Sequence, residues 1–133
     1  MLERQKPTKM KYKNILQIDD DFDDCDFFEQ AVKTVTDAAY TSIQNPIEAL
    51  HKLLKGEINP DLIFLDVNMP CMSGKEVLIE IKKTESTKNI PVILLSTSPL
   101  HAQEAKDAGA KDYLVKPNSL CELKNLLSKI LLM

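Results

Sequence analysis

The feature that most limits the possible folds is the run Leu62-Ile63-Phe64-Leu65-Asp66-Val67-Asn68-Met69-Pro70. Four apolar residues in a row leave no polar side to turn toward water. The run therefore reads as a strand buried on both faces, as in a parallel sheet. Pro70 stops any continuation of regular structure. Open parallel sheets bind ligands beyond the carboxyl ends of their strands, and Asp66 stands at such an end. By itself an aspartate there serves equally well to end a strand and solvate a turn.

The rest of the chain repeats the pattern. Ile15-Leu16-Gln17-Ile18 is a short strand that runs into Asp19-Asp20-Asp21. Phe28, Ala31, Val32 and Val35 then recur at helical spacing, and Asp23 and Asp24 lie in the first turn, where they complement the helix dipole. Tyr40–Gln44 reads as a weaker, edge-type strand. Asn45-Pro46-Ile47-Glu48 is a helix start with Asn as N-cap, Pro at the first helical position and Glu closing a capping box. That helix carries Leu50, Leu53 and Leu54 and stops at Gly56. Ser73-Gly74-Lys75-Glu76 has the same capping spacing ahead of Val77, Leu78 and Ile81. Pro91–Leu95 is a second fully buried strand ending in Ser96-Thr97-Ser98, and Pro99 opens a short helix toward Gly109. Asp112–Val115 is the fifth strand, ending at Lys116-Pro117. Ser119, with Glu122 after it, caps a last helix carrying Leu120, Leu123, Leu127, Ile130 and Leu131. Five strands alternating with five helices make an α/β fold, an open parallel sheet with helices on both faces.

Size and charge narrow the function. A chain of 133 residues, 44% hydrophobic and 28% charged, fits one globular domain, here residues 13–133 behind a basic tail, residues 1–12, expected to be frayed. A net charge of −3 argues against direct DNA binding. The three cysteines, Cys25, Cys71 and Cys121, are far apart and suit free thiols in a reducing compartment. No apolar run approaches the roughly 20 residues of a membrane span, and no signal-peptide core follows Met1, so a cytoplasmic location is expected. His51 and His101 read as surface helix residues.

Taken jointly, the strand ends say more than each does alone. The first offers Asp19 and Asp20, the third Asp66, the fourth Ser96 and the fifth Lys116, and in a parallel sheet these ends share one edge. Carboxylates about 4 Å apart repel by about 4 kcal/mol per pair at an effective dielectric near 20. Three of them in one crevice call for a cation, and Mg²⁺, with its preference for oxygen ligands, is the natural one. The Asn68 backbone carbonyl can add to the ligand set, and Lys116 supplies a second positive charge. Such a site suits phosphoryl transfer with Asp66 as nucleophile and Ser96 donating to the new phosphoryl group.

At this point the sequence resembles a response-regulator receiver domain of two-component signalling. The motifs are Ile15–Asp21, Leu62–Pro70 with Gly74, Pro91–Thr97 and Gly109–Pro117. The resemblance implies the flavodoxin-like strand order 2-1-3-4-5 and Asp66 as phosphoacceptor. It implies Asp19 and Asp20 as the acidic metal pocket, with the Asn68 carbonyl as a further ligand. Ser96 becomes the hydroxyl switch, Lys116 the phosphoryl-binding lysine and Tyr113 the aromatic that changes exposure on activation. Lys116-Pro117 becomes a cis bond. Thr97 stands where many members have Ala, which narrows access to Asp66. The short stretch from Ser96 to Tyr113 implies a short or displaced fourth helix. The implied donor is a sensor histidine kinase. The Asp-rich entry and lack of an output domain are similar to small stand-alone regulators served by phytochrome-type kinases. Output then passes to a downstream protein or a phosphotransfer protein.

Of two rival readings one fails on its residues and the other is kept as the alternative. Asp19, Asp21 and Asp23 match the first ligands of a calcium loop, but Asp24 stands where that loop needs Gly and Gln30 where it needs Glu. The enzyme alternative, an Asp-nucleophile metal-dependent phosphohydrolase, needs a second Asp as general acid where this chain has Asn68. The expectation is therefore a signalling phosphoacceptor.

Overall fold

Each apolar run of the sequence becomes a strand because it can bury side chains on both sheet faces at once. The computed structural model describes residues 11–100 and 102–132. The elements in chain order are β1 Asn14–Ile18, α1 Phe22–Val35, β2 Ala39–Ile43, α2 Pro46–Leu54, β3 Leu62–Asp66, α3 Gly74–Lys83, β4 Val92–Ser96, α4 Ala102–Asp107, β5 Asp112–Val115 and α5 Leu120–Leu131. The strands form one sheet in the order β2-β1-β3-β4-β5, every pairing parallel. This is the flavodoxin-like order.

The two-residue alternation of strands divides the core. Leu16, Ile18, Ile63, Leu65 and Leu94 pack on one face with Leu53, Leu78, Ile81 and Ala105 from α2, α3 and α4. Ile15, Leu62, Phe64, Ile93 and Leu95 pack on the other with Phe28 and Val32 of α1 and Leu123 and Leu127 of α5. The Phe28 and Phe64 rings meet edge to face, centroids 4.9 Å apart. No described helix is long and apolar enough to cross a membrane.

The caps follow the sequence with one exception. Ser73 and Glu76 exchange both bonds of the capping box, at 2.9 and 3.2 Å. Asn45 accepts from the Ile47 and Glu48 amides at 2.9 and 3.1 Å, but the Glu48 carboxylate pairs with Lys52 at 3.6 Å instead of closing the box. β2 begins and ends one residue earlier than expected, because the chain turns away at Gln44 to reach the Asn45 cap. Tyr12, expected in the frayed tail, is buried in the second core; residues 1–10 of that tail lie outside the described residues. His51 is exposed on α2, and His101 lies outside the described residues. The three cysteines are free thiols.

The connection after β4 departs most. The α4 helix starts at Ala102 and spans six residues, not opening at Pro99. Ser96 Oγ accepts the Ser98 N–H and Ser98 Oγ accepts the Leu100 N–H, each at 3.1 Å. These side-chain turns satisfy the backbone in a non-helical path and delay the helix.

Candidate functional site

The sheet register brings the expected residues together. Asp66 ends β3 opposite Leu95, Ser96 follows and pairs with Val115, and Lys116 comes next, its N–H donating to the Ser96 carbonyl at 2.7 Å. Asp19 follows β1 on the neighbouring side, its N–H bonded to the Ile43 carbonyl at 3.2 Å. Asp19, Asp66 and Ser96 are all buried, at 0%, 6% and 5% exposure, whereas Asp20 is exposed. One carboxylate oxygen from each of Asp19, Asp20 and Asp66 lies within 4.8 Å of the others.

Buried carboxylates this close need donors, and each finds some. Asp19 Oδ1 accepts the Asp21 N–H at 3.0 Å, while Oδ2 accepts from Gln17 Nε2 at 3.4 Å and Lys116 Nζ at 3.2 Å. Lys116 Nζ also lies 2.8 Å from Asp24 Oδ2 and 3.2 Å from Asp66 Oδ1. One ammonium thus serves three carboxylates.

Protonation follows from this arrangement. Burial, with Asp19 as a neighbouring negative charge, pushes the Asp66 carboxyl up to about 6 against the opposing pull of Lys116. Burial likewise raises Asp19, partly offset by the Asp21 amide and by Lys116. Burial alone would lower Lys116, but the bond to Asp24 and the charges of Asp19 and Asp66 outweigh it and hold the amine above its ordinary range. The lysine stays charged, and the acids compete for one cation.

The loop after β3 is pinned to the site from below. The Val67 N–H donates to the Leu95 carbonyl at 3.0 Å, and the Gly74 N–H to the Val67 carbonyl at 2.9 Å. A Cβ on Gly74 would stand 2.2 Å from the Asp66 carbonyl oxygen and 2.9 Å from Val67 Cα. Glycine is required here by close approach of two backbones.

The remaining sequence-predicted residues fall less tightly. Asn68 and Thr97 are exposed, Asn68 two residues past Asp66 and Thr97 one past Ser96. The Ser96 hydroxyl oxygen is engaged by the Ser98 N–H. Tyr113 is half-buried against the first core, its hydroxyl donating to the Ser98 and Leu100 carbonyls at 2.8 and 2.6 Å. The cis expectation for Lys116-Pro117 is corrected: the structure has no cis peptide bond among its described residues, and trans is the lower-energy isomer by about 0.5–1 kcal/mol even before proline.

Two residues escaped the sequence reading. Asp24 had a sufficient role as a first-turn acid, yet it reaches Lys116. Gln17 is fully buried between Leu16 and Ile18, two residues from Asp19; its side-chain amide donates to Asp19 and its Oε1 accepts from the Tyr40 hydroxyl. A single amide inside a buried apolar run was the available signal, since such groups are costly unless bonded.

Comparison with known proteins gives the family. Residues 15–128 match the family described as the response regulator receiver domain. The two-component response regulator ARR5 of Arabidopsis thaliana is 31% identical over 128 residues, covering 87% of this chain and 69% of the relative. The phosphorylated cyanobacterial phytochrome response regulator RcpA superposes with a TM-score of 0.81 at 30% identity, covering 90% of this chain and 91% of that one. The Mn²⁺-bound form of response regulator Rcp1 gives 0.77 at 30% identity, with 89% and 91% covered. The chemotaxis response regulator CheY4 of Vibrio cholerae gives 0.76 at 28% identity, with 89% and 98% covered. With the matched segment spanning all five strands and the acidic strand ends converging beside one lysine, the chain belongs to the response regulator receiver domains of two-component systems.

Proposed function

We propose that Asp66 accepts a phosphoryl group from a phosphohistidine of a sensor kinase and that the resulting change in the β4–α4 region is the signal. The supporting observation is the buried Asp66 carboxylate, 3.2 Å from a lysine and grouped with two further acids. An Asp66 oxygen forms the new P–O bond as the donor's P–N bond breaks, the electron pair leaving with the imidazole nitrogen. Lys116 offsets the charge on the phosphoryl oxygens as a point donor.

Asp19, Asp20 and Asp66 would hold Mg²⁺, with the Asn68 carbonyl as the fourth protein ligand. The donor set fits a hard dication: all three are carboxylates, and one oxygen of each lies within 4.8 Å of the others. When bound, the ion neutralises charge on the transferring group. Similarity to the Mn²⁺-bound Rcp1 supports the same reading.

The switch uses residues already linked. Ser96 turns its O–H to a phosphoryl oxygen and exchanges its bond to the Ser98 N–H, so the loop shifts. Tyr113, tied to the Ser98 and Leu100 carbonyls of that loop, shifts with it. Thr97, exposed beside Ser96, narrows the approach to Asp66. Similarity to RcpA favours a phytochrome-type kinase as donor, with a downstream or phosphotransfer protein as receiver.

The test is incubation with acetyl phosphate and Mg²⁺, read by intact mass. Wild type gains one phosphoryl group and Asp66→Asn gains none. A modified Asp66→Asn protein would move the acceptor elsewhere.

A further inference from the structure

Lys116 is shared by three carboxylates, and the pair that is shortest is the one outside the metal-type cluster. Its ammonium lies 2.8 Å from Asp24, against 3.2 Å for each of Asp19 and Asp66. We propose that Asp24 is a positioning residue that holds Lys116 in the unmodified protein and releases it when Asp66 carries a phosphoryl group. The inference rests on the reading of Asp66 as acceptor.

Geometry favours release at Asp24. A lysine ammonium has three N–H groups; this one donates to Asp19 at 3.2 Å and to Asp24 at 2.8 Å, with Asp66 Oδ1 3.2 Å away. A phosphoryl group adds acceptor oxygens and about two negative charges beyond the present Asp66 oxygen, which draws the ammonium away from one of its two hydrogen-bonded partners. Asp19 is a poor candidate, because its side chain is 0% exposed and loses a charged donor with no water to replace it. Asp66 carries the incoming group itself, and its side chain is 9% exposed. Asp24 is 41% exposed, so water can replace the lysine at its carboxylate. Its backbone stays fixed meanwhile, with its N–H on the Asp21 cap at 3.3 Å. Asp24 stands in the first turn of α1 and is not among the three carboxylates that cluster. Its effect is therefore on the lysine rather than on a metal ligand set.

Such a contact lowers the affinity of the site for a phosphoryl group, because the lysine must first be freed. A partly exposed ion pair changes an equilibrium by roughly threefold, and that is the expected tightening when Asp24 loses its charge.

Beryllofluoride, a stable mimic of the phosphoryl group, is titrated with Mg²⁺ into wild type, Asp24→Asn, Asp24→Glu, Asp23→Asn and Asp66→Asn, followed by amide resonances. Asp23 lies on the same exposed turn and does not touch Lys116, so it controls for the loss of one charge. The Lys116 side-chain nitrogen resonance is recorded in each protein before ligand. Asp24→Asn should bind about threefold tighter than wild type and shift the Lys116 resonance. Asp24→Glu should restore both, and Asp23→Asn should change neither. Equal affinity of wild type and Asp24→Asn overturns the proposal while leaving Asp66 as acceptor. An equal gain in Asp23→Asn overturns it too, reducing the effect to net charge. Failure of wild type to bind, or binding retained in Asp66→Asn, overturns the acceptor reading and the latch with it.

Discussion

Asp66 meets two opposed demands: a nucleophile must be ionised, yet burial beside Asp19 favours the protonated form. The opposition makes the residue a liability to the fold. Its carboxyl is pushed from 3.8 to about 6, so between those pH values the folded chain binds more protons than the unfolded chain. Stability therefore falls as pH rises through that window, by about 3 kcal/mol in total. In metal-free buffer Asp66→Asn should melt about 10 °C above wild type at pH 7 and lose the advantage near pH 4. Equal melting temperatures at pH 7 would mean that Asp66 is not held against its charge. The acid cluster was legible in the sequence because Asp19 and Asp66 directly follow apolar runs, which fixes them at strand ends whatever their neighbours do. Asp24 was not, because a helix-dipole role already accounts for an acid at that position. Gln17 was not, because one polar residue in a strand carries no address until the partner face is known.

At the level of elements, the site depends on how closely the β3–α3 connection folds under its own strand. Gly74 permits that approach, and no other residue fits with its Cβ 2.2 Å from the Asp66 carbonyl oxygen. Gly74→Ala must move backbone against backbone, so a cost of about 1–3 kcal/mol is expected. The displaced atoms belong to Asp66 and Val67, so reaction with acetyl phosphate should slow by more than the lost stability explains. The check is the rate at a temperature where both proteins are fully folded; equal rates would detach the loop from the site. The elements themselves followed from periodicity almost to the residue, because strands buried on both faces leave little choice of boundary. The exceptions arise where side chains compete with backbone pairing. Ser96 and Ser98 build turns that postpone α4, and Tyr12 joins the core although lysines flank it at Lys11 and Lys13.

Across the whole molecule, the sheet acts as a rigid frame that holds like charges together. Asp19 and Asp20 directly follow β1 and Asp66 ends β3, and the two strands are paired in register, so the backbones that carry these acids are held side by side. Without a counter-ion the repulsion becomes part of the folding free energy. At about 4.8 Å and an effective dielectric of 20 each pair of charges contributes about 3.5 kcal/mol, reduced where an acid takes up a proton. Any cation that binds the folded chain must then raise its stability, by about 2.7 kcal/mol at a hundredfold excess over its dissociation constant. Mg²⁺ should accordingly raise the melting temperature by roughly 5–10 °C, while NaCl at matched ionic strength should do much less, since the acids are too close for diffuse screening to reach. Asp20 gives the decisive variant because it is exposed and contributes little to packing. Asp20→Asn should melt above wild type in chelator, where one repelling charge is gone, and should respond only weakly to Mg²⁺. If wild type melted at the same temperature in chelator and in Mg²⁺, the cluster would not be a metal site, and the frame would be holding three acids together for another reason.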